Sequence, residues 1–252
     1  MANPGFHWII PHVDRFLMVN IIDQMAGIVS LERKNERKMD EIKRKNVAVI
    51  VAHPDDETLW AGGTILSHPT WNFFIISVCR GNDTERASKF YKALKVLKSE
   101  GNMGDLDDSP DQNPLNEEEV EKTVLHLLPE IHYDLIISHN PNGEYTRHIR
   151  HEEVSKAVIN LWNTNKIIAD ELRTFAYEDD QKKYHPRPIE NAAIYRPLTK
   201  RTWLRKYSIL RETYGFEKDS WEVQTTPRAE AFWQFTNPFN AKKWLHNGGI
   251  YR

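Results

Sequence analysis

The sequence predicts an α/β fold: a Rossmann-like, open, mostly parallel sheet with helices on both faces. From residue 46 onward, short β-rich runs alternate with helix-like segments, as in repeated βαβ units. The first run, residues 47–52, is continuously apolar and mostly β-branched, which is typical of a strand covered on both faces. Chemically reactive residues follow this run directly, and ligands of open α/β sheets bind beyond the carboxyl ends of the strands.

The other elements follow in order along the chain. Helices are predicted at residues 58–67, 85–100, 117–128 and 152–162. Strands are predicted at residues 73–79 and 135–138, with short possible strands at 172–177 and 192–195. Residues 101–114 are rich in Asp, Asn, Gly and Pro, which predicts a mobile surface loop.

The two ends of the chain carry different patterns. Residues 1–45 are predicted to form an N-terminal helical extension, because apolar residues at helical spacing over 16–31 precede a charged run. Residues 46–252 are predicted to form a single domain. Its aromatic-rich C-terminal region, beyond about residue 200, is expected to be irregular and to build a small core or a subunit interface.

Composition narrows the functional classes. The chain has 252 residues, and its 34 basic and 36 acidic residues nearly cancel, which disfavours nucleic acid as a partner. No signal peptide or integral membrane segment is evident, and the lone Cys79 ends an apolar run, which predicts a buried structural thiol. We therefore expect a cytoplasmic protein that acts on a small-molecule substrate. The protein can form a homo-oligomer.

The run Ala-His-Pro-Asp-Asp-Glu at residues 52–57 places one imidazole and three carboxylates directly after the first strand. His53 and Asp56 are three residues apart at a strand-to-helix turn, so both can face one ion. Asp55 then points elsewhere and can hold or deprotonate a water molecule. A helix cap needs only one acidic residue, so the run indicates a metal site with a neighbouring base.

A second motif contains His148 and His151, at i and i+3 near the start of a predicted helix. Two such histidines are commonly surface residues, but these follow a strand and so emerge at the same sheet edge as the first motif. Two His and one Asp leave zinc an open position for water, which is a catalytic arrangement. His and Asp ligands also accept iron, cobalt or manganese.

These motifs resemble the PIG-L or LmbE-like zinc deacetylases, which remove the acetyl group from N-acetylglucosamine-containing compounds. The resemblance covers roughly residues 46–200, and the Ala-His-Pro-Asp-Asp-Glu run is its specific signature. It implies that His53, Asp56 and His151 are zinc ligands. It also implies that Asp55 is the general base and that a protonated His148 is the electrophilic group that stabilises the oxyanion.

One position departs from the family pattern. Many members carry an Asp just before the second late histidine, where this chain has Arg150. That Asp orients or acidifies the first of the two histidines, here His148. Glu144 and Glu152 are the alternative orienting carboxylates.

Substrate contacts are expected close to the metal site. Arg80 and Asn82 follow the second predicted strand, where the family has a loop near the substrate. Glu57 is the third expected substrate contact. A surface salt bridge is the competing interpretation of Arg80.

The resemblance implies hydrolysis of the acetamide of an N-acetylglucosamine-containing compound, with a metal-activated water and Asp55 as the base. Two alternatives remain open: a metal-dependent hydrolase of a non-sugar amide, and a non-catalytic metal-binding scaffold. A nucleotide-binding module is disfavoured, because the first β-to-α turn has no Gly-x-Gly-x-x-Gly run and offers acids where a pyrophosphate needs N–H groups.

Overall fold

The computed structural model describes residues 44–146 and 148–249. The described elements belong to one compact unit, Lys45–Arg252. The helical extension predicted for residues 1–45 lies outside the described residues, apart from its last two positions. The prediction of a single domain over residues 46–252 stays a prediction.

A seven-stranded sheet forms the centre of the fold. Its strands are β1 Asn46–Val51, β2 Asn72–Cys79, β3 Glu100–Leu106, β4 Leu135–Ser138, β5 Leu172–Phe175, β6 Ile194–Pro197 and β7 Ala229–Phe235. Their order across the sheet is β6-β7-β5-β4-β1-β2-β3. All pairs from β5 to β3 are parallel, and only the two pairs that involve β7 are antiparallel. The predicted open, mostly parallel sheet is confirmed.

The helices are α1 Asp56–Ser67, α2 Thr84–Leu97, α3 Glu117–Leu127, α4 Ile149–Asn163, α5 Lys200–Ser208, α6 Trp221–Thr225 and α7 Pro238–His246, and a π-helical turn, Ile209–Thr213, follows α5. The residues before α2, α3 and α7 are Asp83, Asn116 and Asn237, whose side chains accept hydrogen bonds from the first turn. Such caps satisfy N–H groups that have no partner inside the helix. Among the described residues, no helix combines the length and the apolar character that crossing a membrane requires.

Each face of the sheet is covered by its own hydrophobic core. Ala48 and Ile50 of β1 pack in one core with residues of α3 and α4, while Val47 and Val49 pack in the other with residues of α1 and α2. All four side chains are fully buried. The double covering explains why β1 reads as a continuous apolar run. Cys79 is fully buried at the end of β2, in agreement with the predicted structural thiol.

The prediction of a mobile loop at residues 101–114 is corrected. The first half of that segment belongs to β3, an edge strand that pairs with β2. An edge strand is partly exposed, so its sequence, Glu-Gly-Asn-Met-Gly-Asp-Leu, lacks the apolar run that marks a buried strand. Gly101 permits the close approach of the two backbones. A Cβ atom there would lie 1.9 Å from the carbonyl oxygen of Ile75.

Strand β7 corrects the expectation of an irregular C-terminal region, because it lies between β5 and β6 inside the sheet. Glu230 on this strand is fully buried and accepts hydrogen bonds from the backbone N–H groups of Gly63 and Thr64 in α1. Its other partner is Lys206 of α5, whose Nζ lies 2.7 Å from Oε1. The C-terminal region therefore holds α1, the helix that follows the first motif, against the sheet.

Candidate metal centre

The two sequence motifs meet at one edge of the sheet. The first motif follows β1, and the second lies at the start of α4, after β4. Strands β1 and β4 are parallel neighbours, so their carboxyl ends lie side by side. This placement brings His53, Asp56, His148 and His151 into one cluster, as the sequence predicted.

The three expected ligand atoms form a nearly equilateral triangle. Nδ1 of His53 lies 3.2 Å from Oδ2 of Asp56 and 3.3 Å from Nε2 of His151, and the latter two atoms are 3.4 Å apart. Two ligands of a tetrahedral zinc ion, each about 2.0 Å from the metal, stand about 3.3 Å from one another. The donor set and its spacing therefore fit a single zinc-sized cation.

The charge state of Asp56 suits a cation as well. Burial would raise the pKa of this carboxyl, but His151, His53 and His139 hold it well below its usual range. Asp56 is thus an ionised carboxylate with one oxygen, Oδ2, directed at both histidines. Its other oxygen accepts a hydrogen bond from the indole N–H of Trp60, which fixes the carboxylate plane.

Glu144 orients His151. It is fully buried, and its Oε2 lies 2.5 Å from Nδ1 of His151 and 3.0 Å from Nδ1 of His139. Although burial opposes it, these two histidines lower the pKa of Glu144 to about 2. The carboxylate accepts a hydrogen bond from Nδ1–H of His151, so Nε2 is the ring nitrogen that faces Asp56, an arrangement common behind metal-binding histidines. Glu144, one of the two alternative orienting carboxylates for His148, instead contacts His151.

His139 is a buried histidine of the cluster that the sequence reasoning did not select. Its Nε2 lies 3.5 Å from Oδ2 of Asp56. However, the backbone N–H of Ala52 donates to this nitrogen at 2.9 Å, and the other ring nitrogen faces Glu144. Since the Nε2 lone pair is already used, His139 supports the cluster rather than offering a free ligand. Its position directly after β4 was the available signal.

His148 lies against the other imidazoles. Its ring stacks on His151 with centroids 4.4 Å apart, and it meets His53 edge-on at 4.6 Å. Burial, followed by the charges of His151 and His53, lowers the pKa of His148 to about 3. The protonated form expected of His148 stays a prediction. Nδ1 of His148 is buried and has no hydrogen-bond partner among the described residues.

Asp55 occupies a strained turn between β1 and α1. Its φ of 130° is unusual for a residue with a side chain, and such strain is found mainly at functional sites. The carboxyl is almost fully buried, and burial together with Asp56 and Glu57 raises its pKa well above the usual range. A raised pKa makes this carboxylate a better proton acceptor.

Glu57 has a different environment from that of a substrate contact. It is fully buried, and its carboxylate accepts hydrogen bonds from the backbone N–H of Asp55, from Thr58 Oγ1 and from the hydroxyl of Tyr214. With its oxygens engaged and no exposed surface, it does not face a substrate. The expectation is corrected: Glu57 fixes the strained turn that carries Asp55, and Tyr214 ties that turn to the C-terminal region.

Arg80 lies at the rim of the cluster, and Asn82 lies further out. Arg80 is 46% exposed and donates from Nε to Oδ2 of Asp108 at 2.7 Å. Oδ1 of Asp108 lies 3.2 Å from Nε2 of His53, so Arg80 is one residue removed from the cluster. Asn82 is exposed and hydrogen-bonds Asp105. Substrate contact by Arg80 and Asn82 stays a prediction.

An aromatic wall borders the histidines. The ring of Tyr145 lies 5.5 Å from His151 and 5.8 Å from His148, and Trp221 packs edge-on against Tyr145 at 4.7 Å. Trp221 is 37% exposed and belongs to α6. The aromatic C-terminal region, expected to be structural, thus also supplies a surface beside the cluster. Nothing in the local sequence distinguishes Trp221 from the other tryptophans.

Fold and site define a class: an α/β protein with a candidate metal centre at the carboxyl edge of a parallel sheet. Residues 48–162 match the family described as PIG-L: GlcNAc-PI de-N-acetylase. This segment contains both histidine motifs. The resemblance to this family that the sequence predicted is confirmed.

Among similar proteins, one resembles this chain in sequence and two resemble it in fold. An uncharacterized protein, L374, of Acanthamoeba polyphaga mimivirus is 25% identical over 169 residues, which cover 62% of this chain and 69% of that protein. The N,N'-diacetylchitobiose deacetylase of Pyrococcus horikoshii has a TM-score of 0.57 and 18% identity, over 78% of this chain and 85% of that one. GalB, the 4-carboxy-2-hydroxymuconate hydratase of Pseudomonas putida KT2440, has a TM-score of 0.52 and 15% identity, over 75% and 95% respectively.

Proposed function

We propose that this chain is a metal-dependent hydrolase that removes the acetyl group from an N-acetylglucosamine-containing compound. The observation that carries the proposal is the triangle of His53, Asp56 and His151 ligand atoms, 3.2–3.4 Å apart, in a PIG-L family domain. The name of the family and that of the Pyrococcus horikoshii relative both describe deacetylation. A cytoplasmic location stays a prediction from the single, buried cysteine.

The residues present fit a zinc ion, and His53, Asp56 and His151 would hold it. Three protein ligands leave one tetrahedral position open, which is the arrangement of catalytic rather than structural zinc. When bound, zinc supplies Lewis-acid chemistry, since it acidifies water near neutral pH and polarises an amide carbonyl.

The side chains around the triangle have distinct tasks in the proposed reaction. Asp55 accepts a proton from the attacking water and returns it to the nitrogen of the leaving amine, so that the C–N bond breaks to give acetate and a free amine. His148 donates one ring N–H to the oxygen that gains negative charge. Tyr145 and Trp221 border the site with apolar surface, which reduces the access of bulk water.

The alternatives keep the same centre but change its use. The likeness to a hydratase shows that this fold also occurs in a protein named for a different reaction, so the fold does not select the substrate. A non-sugar amide is therefore the second candidate. A non-catalytic scaffold is disfavoured by Asp55, because a structural ion gains nothing from a strained, buried carboxylate with a raised pKa.

Free-amine release tests the proposal. The purified chain, stripped of metal and reloaded with zinc, would be given N-acetylglucosamine, chitobiose and inositol-linked and malate-linked N-acetylglucosamine. We expect amine release from at least one compound, loss of release on chelation and recovery with metal. Stoichiometric metal without release from any of these compounds would contradict the sugar substrate and direct the search to other amides. Failure to bind any divalent metal would contradict the proposal as a whole.

A further inference from the structure

We infer that Arg150 is a positioning residue for the metal centre: it fixes residues 107–113, which we name the Asp108 loop, so that Asp108 faces the outer nitrogen of His53. The inference rests on the metal-binding part of the proposed function. It assigns a role to the position at which this chain departs from the family pattern.

Arg150 is buried although it is charged. Only 1% of its side chain is exposed, and it lies in the first turn of α4, directly before His151. Its Nε donates to the backbone carbonyl of Asp107 at 2.6 Å, and its Nη2 donates to the carbonyl of Asn113 at 2.8 Å. One planar guanidinium therefore holds both ends of the Asp108 loop. A lysine has no such fork of fixed donors.

Glu153 completes this anchor. Its Oε2 accepts from Nη1 of Arg150 at 2.6 Å, and its Oε1 accepts from the backbone N–H of Leu115 at 2.7 Å. A buried guanidinium is stable only when it is paired and hydrogen-bonded, and Glu153 supplies the charge partner. Arg150 and Glu153 are three residues apart on α4, so the loop is attached to the helix that also carries His151.

The Asp108 loop brings a carboxylate to His53. The side chain of Asp108 is 7% exposed, and its Oδ1 lies 3.2 Å from Nε2 of His53. That nitrogen has no well-aligned hydrogen-bond partner among the described residues, and Asp108 is the carboxylate placed beside it. Arg80 holds the other oxygen of Asp108 at 2.7 Å.

This placement selects the useful tautomer of His53. Nδ1 of His53 faces Asp56 and His151, so it can bind a metal only if the proton resides on Nε2. A carboxylate beside Nε2 stabilises that tautomer and fixes the ring plane. Glu144 does the same for His151, at Nδ1 of that ring. In this chain, Arg150 thus positions His53 through the Asp108 loop, instead of orienting His148.

The test is metal affinity in a double-mutant cycle. Zinc dissociation constants would be measured by chelator competition for wild type, Arg150→Gln, Asp108→Asn and the double variant, with the visible spectrum of the Co²⁺ form as a readout of coordination. Partners behind metal ligands typically contribute about 10- to 100-fold in affinity. We expect each single variant to weaken zinc binding about tenfold or more, and the double variant to bind no more weakly than Asp108→Asn alone. Arg150→Lys should not restore affinity.

Arg173→Gln is the matched control. Arg173 lies near the start of β5, is 11% exposed and pairs with Glu171 at 2.5 Å. The Arg173→Gln variant should lose stability but keep its zinc affinity and its Co²⁺ spectrum. The inference is overturned if Arg150→Gln binds zinc like wild type, or if its effect adds fully to that of Asp108→Asn. Either result, with wild type binding zinc, leaves the proposed function intact, whereas a wild type that binds no zinc overturns both.

Discussion

Replacing Glu230 with Gln removes the counter-charge of a buried lysine and should destabilise the fold strongly. Neither Glu230 nor Lys206 has exposed side-chain surface. Glu230 accepts hydrogen bonds at 2.7 Å from Gly63 N, Thr64 N, Thr64 Oγ1 and Lys206 Nζ. A glutamine keeps the shape, but its NH₂ group must face one of these donors, and Lys206 is left as an unpaired buried charge.

Two estimates of the lost free energy of unfolding agree. Breaking one side of a buried ion pair typically costs about 3–5 kcal/mol. Alternatively, Lys206 releases its proton on folding, and its ordinary pKa of about 10.4 makes this cost about 4.6 kcal/mol at pH 7, at 1.36 kcal/mol per pH unit. Since deprotonation limits the penalty, we expect Glu230→Gln to lower the free energy of unfolding by about 3–5 kcal/mol at pH 7.

The loss should shrink as the pH rises. Burial lowers the pKa of the Lys206 amine in the folded chain, although Glu230 opposes this. Without Glu230 the shift grows, so between the folded and unfolded pKa values the unfolded chain binds more protons at this site. Stability therefore increases with pH in that window, by up to about 1.4 kcal/mol per pH unit.

Urea unfolding at pH 7 and pH 9, followed by circular dichroism, measures both effects. The double variant Glu230→Gln/Lys206→Met is the control, because it removes the orphaned charge and should recover a large part of the loss. A Glu230→Gln variant within 1 kcal/mol of wild type at pH 7, or an equal deficit at both pH values, would show that Lys206 does not need Glu230 as its charge partner.

Three further predictions concern the sheet, the Asp55 turn and the aromatic wall. Gly101→Ala places a Cβ atom 1.9 Å from the Ile75 carbonyl oxygen, so it should lower the melting temperature by several degrees, and an unchanged melting curve would contradict the β2–β3 register. Tyr214→Phe removes a 2.8 Å hydrogen bond to buried Glu57, which should lower the free energy of unfolding in urea by about 1–3 kcal/mol. It should also change kcat more than KM, and an unchanged kcat would contradict the link to Asp55. Trp221→Ala should raise KM for an amino-sugar substrate several-fold at nearly constant kcat, and Trp221→Phe should give an intermediate KM. Equal KM values for the three proteins in steady-state kinetics would show that the exposed ring does not contact substrate.

The sequence predicted those parts of the fold whose residues share one local environment. Strand β1 is covered on both faces, so its apolar run is unbroken and its position was predicted correctly. Strand β3 lies at an exposed edge, so it was mistaken for a loop. Strand β7 was missed because Glu230 interrupts its apolar run, and this charge is neutralised by Lys206, a partner that local patterns do not reveal.

In the candidate site too, local patterns predicted some residues, and long-range contacts determined the others. The meeting of His53, Asp56 and His151 was predictable, because parallel neighbouring strands end at the same edge of a sheet. Asp108 and Trp221 reach the cluster from a distant loop and a short helix, and their positions depend on long-range contacts without a sequence signature. Glu57 was misassigned, since sequence adjacency to the ligands did not reveal that its oxygens face the interior.

If Asp55 moves the proton in a metal-dependent deacetylation, Asp55→Asn should abolish turnover without releasing the metal. Bound zinc and released amine would be measured in the same samples of wild type and variant, with the best substrate of the series. We expect equal zinc content and a fall in kcat of about 10²- to 10⁴-fold for Asp55→Asn, because a general base is lost. A variant that retains its zinc and hydrolyses the amide at the wild-type rate would contradict it.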